Sequence, residues 1–339
     1  MNILRLAWSS YQTPETLARE EKSIEQLGFR YYRADNNGEF PGNPSDFPVL
    51  IINSQFVIDR KFLEQWPTGK LVITASSGYD NIDLAACEQR KITVARLAGA
   101  RAQRVAKHTQ ALTLALLRDI PICHNRLTTG DWDRKNSFNR VRDPQNETAG
   151  VIGYGLIGER VTNYFQNIFK NPVLVCDPLK EKTTADNKEF QFCSLKKLLR
   201  EASIISLHAD LNFSTRELIN KKTISLMKDK VMLINSARGQ MINHNDLLGG
   251  LNSGKISSAG LDVFPKEPPD ESIALNHERL LLTPHAAGFG PGLLNDLQEE
   301  LVKLLKKWQS GKPLSEEVTP LTPQQKELLA ATCHYAPCD

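Results

Sequence analysis

Ala149-Gly150-Val151-Ile152-Gly153-Tyr154-Gly155-Leu156-Ile157-Gly158-Glu159-Arg160-Val161 is the stretch on which the fold turns. A short apolar strand runs into G-x-G-x-x-G and then into the start of a helix. In such a turn Gly153 permits the sharp bend, Gly155 lets backbone approach a pyrophosphate, and Gly158 lets helix and strand pack closely. Leu156 and Ile157 open the helix, whose N-terminal N–H groups and positive dipole end suit phosphate. Three glycines alone fit any tight strand–helix turn. Here the next strand, Val173-Leu174-Val175-Cys176, ends on Asp177, 24 residues beyond Gly153. A carboxylate there accepts from both ribose hydroxyls of a dinucleotide and repels a 2′-phosphate, so the pair predicts NAD rather than NADP. The motif lies mid-chain, so about 100 residues of another domain precede it.

Outward from this turn, short apolar runs alternate with amphipathic stretches. Strands are expected at Ile3–Trp8, Val49–Asn53, Leu71–Ala75, Thr148–Ile152, Val173–Cys176, Ile204–Leu207, Val231–Asn235, Ser258–Leu261 and Leu280–Leu282. Helices are expected at Pro14–Leu27, Arg101–Leu117, Leu156–Ile168, Leu195–Glu201, Asn245–Leu251 and Leu293–Trp308. That alternation predicts an α/β protein of parallel sheets covered by helices. Cys123–Asn146 breaks it: polar and without a clear period, it reads as a connection over the surface.

The 339 residues suffice for about two domains. Basic and acidic side chains, 42 against 39, leave a net charge of +3, which argues against a nucleic-acid-coating surface. No run of about 18 apolar residues occurs, so no membrane span is expected. The N-terminal Met1–Trp8 reads as a first strand rather than a secretory leader, and a cytoplasmic location follows as the expectation. Six scattered cysteines fit buried thiols, not a disulfide framework. The terminal Cys333-His334-Tyr335-Ala336-Pro337-Cys338 lacks a second ligand pair, so no metal is expected.

Six segments, in order, carry a resemblance to the D-isomer-specific 2-hydroxyacid dehydrogenase family. They are Ser76-Ser77-Gly78-Tyr79-Asp80-Asn81-Ile82-Asp83, the Gly153–Gly158 turn, Ser206-Leu207-His208, Leu233-Ile234-Asn235-Ser236-Ala237-Arg238-Gly239, Gly260-Leu261-Asp262-Val263-Phe264-Pro265-Lys266-Glu267-Pro268 and Leu282-Thr283-Pro284-His285-Ala286-Ala287-Gly288. The likeness runs from about Leu71 to Leu304; the first 70 residues match only in pattern. It implies two doubly wound parallel-sheet domains, a Rossmann-type cofactor domain (100–289) inserted into a flavodoxin-like substrate domain (1–99 plus 290–339). It further implies a homodimer, a site in the cleft between domains, and hinges near 98–100 and 288–290.

The resemblance also implies roles. Arg238 anchors the carboxylate of a small anionic 2-oxo or 2-hydroxy acid and polarises its carbonyl, for which a planar, permanently charged fork is suited. His285 is the acid in reduction and the base in oxidation, since imidazole exchanges protons near neutrality. Glu267 is its partner, favouring the imidazolium and orienting the ring. Asp262, with the Ser236–Ala237 backbone, takes the nicotinamide carboxamide. His208, Ala209 and Asp210 border the adenosine and pyrophosphate, and Gly288 closes the cofactor contacts. Ser76, Ser77 and Gly78 offer backbone N–H groups to the substrate carboxylate, a nest-like anion site. The remaining histidines, His108 among them, read as structural or surface residues.

Departures from the family pattern are confined to other positions. Where the family reads Gly-Ala-Asn-x-x-Ser-Val-Ala-Glu-His, this chain reads Gly99-Ala100-Arg101-Ala102-Gln103-Arg104-Val105-Ala106-Lys107-His108. Arg101, Arg104 and His108 share one helix face. The two arginines either meet a second anionic group on the substrate or form a basic surface stripe or an ion pair at a dimer interface. Asp210 stands where a proline is usual, and Ser76 where a glycine is. The reading is an NAD-dependent oxidoreductase acting on a D-2-hydroxy acid. The alternatives are an NADH-sensing corepressor-like protein of the same fold and a phosphoglycerate or phosphite dehydrogenase variant; about 30 residues after the last domain helix leave no room for a regulatory domain.

Overall fold

The fully buried runs Val49–Ile52 and Leu71–Thr74, apolar but for Thr74, are what a parallel strand covered on both faces requires. In the computed structural model, which describes residues 1–6, 12–34, 41–180, 190–270 and 276–332, they are the central strands of a parallel sheet. Its strands are β1 (Asn2–Arg5), β2 (Arg30–Arg33), β3 (Val49–Ile52), β4 (Leu71–Thr74) and β5 (Thr93–Arg96), in the order β2-β1-β3-β4-β5. This is the flavodoxin-like order. Side chains alternate between the faces. Leu4, Leu50, Ile52, Val72 and Val94 enter one core, while Ile3, Val49, Ile51, Leu71, Ile73 and Ala95 enter the other. Helix α1 (Pro14–Glu25) opens with Pro14 at its first position and a capping box between Thr13 and Thr16. Helices α2 (Arg60–Glu64) and α3 (Leu84–Gln89) are capped by Asp59 and Asp83.

Helix α4 (Gly99–Leu117) leads into α5 (Ile120–Thr128) and α6 (Arg134–Arg140). The second sheet follows, with strands β6 (Ala149–Ile152), β7 (Val173–Cys176), β8 (Phe190–Phe192), β9 (Ile204–Leu207), β10 (Val231–Asn235), β11 (Ile256–Leu261) and β12 (Leu280–Leu282). All pair in parallel, in the order β12-β11-β10-β9-β6-β7-β8. Counted from its own first strand that is 3-2-1-4-5-6-7 read from the β8 edge, the Rossmann order with one strand added. Between strands lie α7 (Leu156–Gln166), α8 (Leu195–Glu201), α9 (Lys221–Leu226) and α10 (His244–Ser253). Val151, Val175, Ile204 and Ile234 face the core that contains Leu112 and Leu117 of α4, and Ile152, Leu207, Leu233 and Leu261 face the opposite core. After β12, α11 (Leu293–Gln309) returns to the first sheet, where Leu301, Leu304 and Leu305 pack with Ile3 and Ile51. The last helix is α12 (Pro323–Thr332).

The chain forms two units, 1–102 with 290–321 and 103–289 with 322–339. The doubly wound α/β class and the insertion of one unit into the other agree with expectation. The tail does not: residues from Thr322 group with the second unit, not the first. The short apolar run of α12, of which Leu329 is buried, carries no periodic signature to say which sheet it joins. The expected surface connection after Cys123 is instead the helical pair α5 and α6. Neither helix buries a residue in this chain, so the 3.6-residue period never appears. Charge holds them instead: Arg140 bonds Asp119 (2.6 Å) and Asp133 (2.9 Å), and Arg126 reaches Asp133 (2.9 Å). Trp8, and the Cys333–Cys338 tail, lie outside the described residues. Among the described residues no helix is long and apolar enough to cross a membrane.

Candidate active site

The glycine turn shows why each of its glycines is there. Gly153 has φ +93°, and a Cβ on it would lie 2.5 Å from the Ala209 nitrogen and 2.6 Å from the His208 carbonyl carbon. A Cβ on Gly158 would lie 1.9 Å from the Gly153 carbonyl oxygen. Both are therefore demanded by the protein's own packing. Gly155 differs, for a Cβ there would meet nothing within 4 Å. That open backbone sits at the N-cap of α7, where no side chain caps the helix, so its first N–H groups and dipole end are available to an anion. Asp177 closes the turn from β7: its Oδ2 accepts from the Tyr154 N–H (2.8 Å) and its Oδ1 from the Leu179 N–H (3.0 Å).

His208 follows β9 and packs beside the turn. Its Nε2 pairs with the Ser206 hydroxyl at 2.7 Å, and its Nδ1 is buried without a partner among the described residues. Burial pushes the imidazole down to about 3, so it stays neutral beside the glycine turn. The Asp210 carbonyl accepts from the Thr215 hydroxyl (2.7 Å) and builds the turn that follows.

The three residues expected to do chemistry all lie in the second unit, after C-terminal strand ends. Arg238 follows β10, and its Nη1 donates to the Ala237 carbonyl at 2.8 Å. Asn235 braces the same bend, accepting from the Ala237 N–H (3.0 Å) and donating to the Arg238 carbonyl (2.9 Å). Gly239 then lets the chain press on the next loop: a Cβ there would sit 1.9 Å from the Phe264 carbonyl carbon. Gln240 donates to the Pro265 carbonyl at 2.8 Å. So the Arg238 bend and the Glu267 loop are locked together. Glu267 Oε1 accepts from the Phe264 N–H (3.0 Å), and its Oε2 lies 2.6 Å from His285 Nδ1. Burial would raise the Glu267 carboxyl. The hydrogen bonds from His285 and the Phe264 N–H, with the nearby charges of His285 and Arg238, outweigh it and hold the group below its usual range.

His285 has φ +51°, a left-handed conformation unusual for a side chain of this size. Asp262 holds it there. The Asp262 carboxylate, wholly buried, accepts from Thr283 Oγ1 (2.6 Å) and the Ala286 N–H (2.8 Å) on one oxygen and from the Ala287 N–H (3.0 Å) on the other. Its carbonyl accepts the His285 N–H at 2.8 Å. Expected at the nicotinamide, Asp262 is observed organising the loop that carries His285. Since Nδ1 donates to Glu267, Nε2 is the nitrogen left to exchange a proton.

The match to the family model described as D-isomer specific 2-hydroxyacid dehydrogenase, NAD binding domain, spans residues 110–287. A hydroxypyruvate reductase of Thermotoga maritima is 34% identical over 240 residues, 70% of this chain and 76% of that protein. The chain belongs to the D-isomer-specific 2-hydroxyacid dehydrogenase family. A D-3-phosphoglycerate dehydrogenase of Methanocaldococcus jannaschii is 32% identical over 284 residues, 83% of this chain but 53% of that one, so this chain spans about half its length. Among solved structures, a D-lactate dehydrogenase from Aquifex aeolicus complexed with NAD and lactic acid superposes with a TM-score of 0.78 at 26% identity, covering 99% of this chain and 100% of that one. The family's NAD-binding domain is thus the stretch that holds the glycine turn, Asp177 and Arg238–Glu267–His285.

Other residues expected in this family member are placed as follows. The Ser236 hydroxyl pairs with Thr109 of α4 at 2.9 Å, and the Ala237 N–H is taken by Asn235, so both serve the bend first. Gly288 is buried at the end of the His285 loop. Ser76, Ser77 and Gly78 lie after β4 in the first unit, and Arg101 joins them by donating to the Ala75 carbonyl at 3.0 Å. Arg104 falls in the second unit. Two further residues brace these loops. His108, read as structural or surface, bonds Thr283 at 3.0 Å and so braces the loop of His285; its position seven residues after Arg101 was the available signal. Arg96, at the end of β5, donates to the Ser77 carbonyl at 3.0 Å, and nothing in its sequence context marks it.

Proposed function

We propose that this chain is an NAD-dependent dehydrogenase that interconverts a small 2-oxo acid and its D-2-hydroxy acid. The observation that carries the reading is the 2.6 Å pairing of His285 with Glu267 within reach of the charge of Arg238. Residues that fit the dinucleotide are the open Gly155 backbone, the uncapped start of α7 at Leu156 and Ile157, and Asp177. When bound, the nicotinamide supplies or accepts the hydride. Arg238 holds the carboxylate and draws electron density from the carbonyl. The Ser76–Gly78 amides are a further set of donors suited to a carboxylate. His285 Nε2 gives its proton to the forming alkoxide oxygen in reduction and takes it back in oxidation. Glu267 stabilises the imidazolium and fixes its ring.

A homodimer is part of the proposal. Ile120, Leu127, Trp132 (75% exposed) and Phe138 (85% exposed) gather in α5, α6 and their junction. A second copy of the same surface is the occupant that self-complementary symmetry provides. Free thiols at Cys87 and Cys123 fit the reducing cytoplasm.

The test is a panel of 2-oxo acids (glyoxylate, hydroxypyruvate, pyruvate and larger homologues) with NADH and NADPH. Oxidation of NADH with one or more of them is expected, with NADPH weaker. Tight NADH binding with no turnover across the panel would overturn the reading.

A further inference from the structure

Resting on that reading of the Ser76–Gly78 loop, we infer that Arg96 and Arg101 are positioning residues that aim its amides at the substrate carboxylate. The loop follows β4, and three of its carbonyls are held. Arg101 Nη1 donates to the Ala75 carbonyl (3.0 Å), Arg96 Nη1 to the Ser77 carbonyl (3.0 Å), and Ser76 Oγ to the Gly78 carbonyl (2.8 Å). In a trans peptide the C=O and the following N–H point in opposite directions. Holding the Ala75 carbonyl therefore turns the Ser76 N–H away from Arg101, and holding the Ser77 carbonyl turns the Gly78 N–H away from Arg96. Neither N–H, nor that of Ser77, has an acceptor among the described residues, and the Ser77 hydroxyl is buried without a partner. The loop thus presents the Ser76 and Gly78 N–H groups each away from the guanidinium that holds its peptide.

Charge adds to orientation. A cation hydrogen-bonded to a carbonyl polarises the peptide and makes its N–H a stronger donor to an anion. Arg96 is itself fixed, its guanidinium lying 5.2 Å from the Tyr79 ring centroid. Arg101 therefore acts on the substrate through the Ala75 carbonyl.

The experiment uses the full chain with NADH bound and oxamate as the probe, a 2-oxo-acid shape whose amide carbonyl takes no hydride. Arg96→Met and Arg101→Met are expected to weaken oxamate binding and raise KM for the best 2-oxo acid by about tenfold each. NADH affinity should be unchanged and kcat less affected than KM, a split that a general loss of structure does not produce. The Lys variants, which keep a charged donor but not the planar fork, should fall between wild type and Met. Should a Met variant not fold, its Lys counterpart decides alone: oxamate affinity equal to wild type overturns the inference. Met variants within about twofold of wild type overturn it too. If wild type reduces 2-oxo acids while the variants bind oxamate normally, only the clamp is wrong. A wild type that neither turns over nor binds oxamate removes the proposed function and the clamp together.

Discussion

His285 shows how much one position depends on its neighbours. Its imidazole is oriented by Glu267 on Nδ1, and the left-handed turn of its backbone is held by hydrogen bonds to Asp262. Replacing His285 with Asn is expected to lower kcat by about a thousandfold while NADH affinity survives, read by steady-state kinetics and NADH fluorescence titration. Glu267→Gln tests the partnership. In wild type the carboxyl lies below its ordinary value, so it stays charged as pH falls through the usual carboxylate range, and its support is lost only as pH passes through the lowered value. The Gln variant lacks that support at every pH. Its reduction rate should be lower, and it should lack the decline that wild type shows once pH passes below the lowered carboxyl value of Glu267. An unchanged pH–rate profile would remove Glu267 from this role.

The β6–turn–α7 element separates what a fold needs from what a ligand needs. Gly158→Ala places a methyl group 1.9 Å from the Gly153 carbonyl oxygen, which the strand–helix junction cannot absorb. A loss of stability of about 2–4 kcal/mol is expected by thermal or denaturant unfolding. Gly155→Ala meets no protein atom within 4 Å and leaves a backbone angle, φ −86°, that alanine adopts freely. Its stability should match wild type while NADH affinity falls by about tenfold or more, because the added methyl occupies the pyrophosphate's approach. Equal NADH affinity in that variant would mean the turn serves folding alone. The same element shows what was readable beforehand. Its three glycines, strand and acid were all legible because each answers to a local rule of backbone freedom or spacing. The packing of His208 and Ala209 against Gly153 answers to no local rule, since 50 or more residues separate them from the turn.

For the chain as a unit of assembly, the exposed Trp132 and Phe138 bear on oligomeric state. Trp132→Ser combined with Phe138→Ser is expected to convert a dimer to a monomer in light scattering, with the fold retained, because both side chains are already in solvent within one copy. A dimer that persists in the double variant would place the interface elsewhere. The helices carrying these residues escaped sequence reading for the reason that makes them candidates. A helix reveals its period by burying one face in its own chain, and α5 and α6 bury none. The edge strand β2, Arg-Tyr-Tyr-Arg with only Tyr31 buried, was missed on similar grounds.

Local rules therefore sufficed for the alternation of strands and helices, the central cofactor turn and Asp177, because strand period, glycine geometry and motif spacing are properties of short segments, whereas the two-sheet plan and the places of Arg238, Glu267 and His285 are what the resemblance to the family implies. Long-range packing settled the rest: Asp262 as the brace of the His285 loop, His108 upon Thr283, the return of α11 but not α12 to the first sheet, and Arg96 upon Ser77. Each of these is a hydrogen bond or a buried face between segments far apart in the chain, and no pattern within one segment encodes which distant partner will satisfy it.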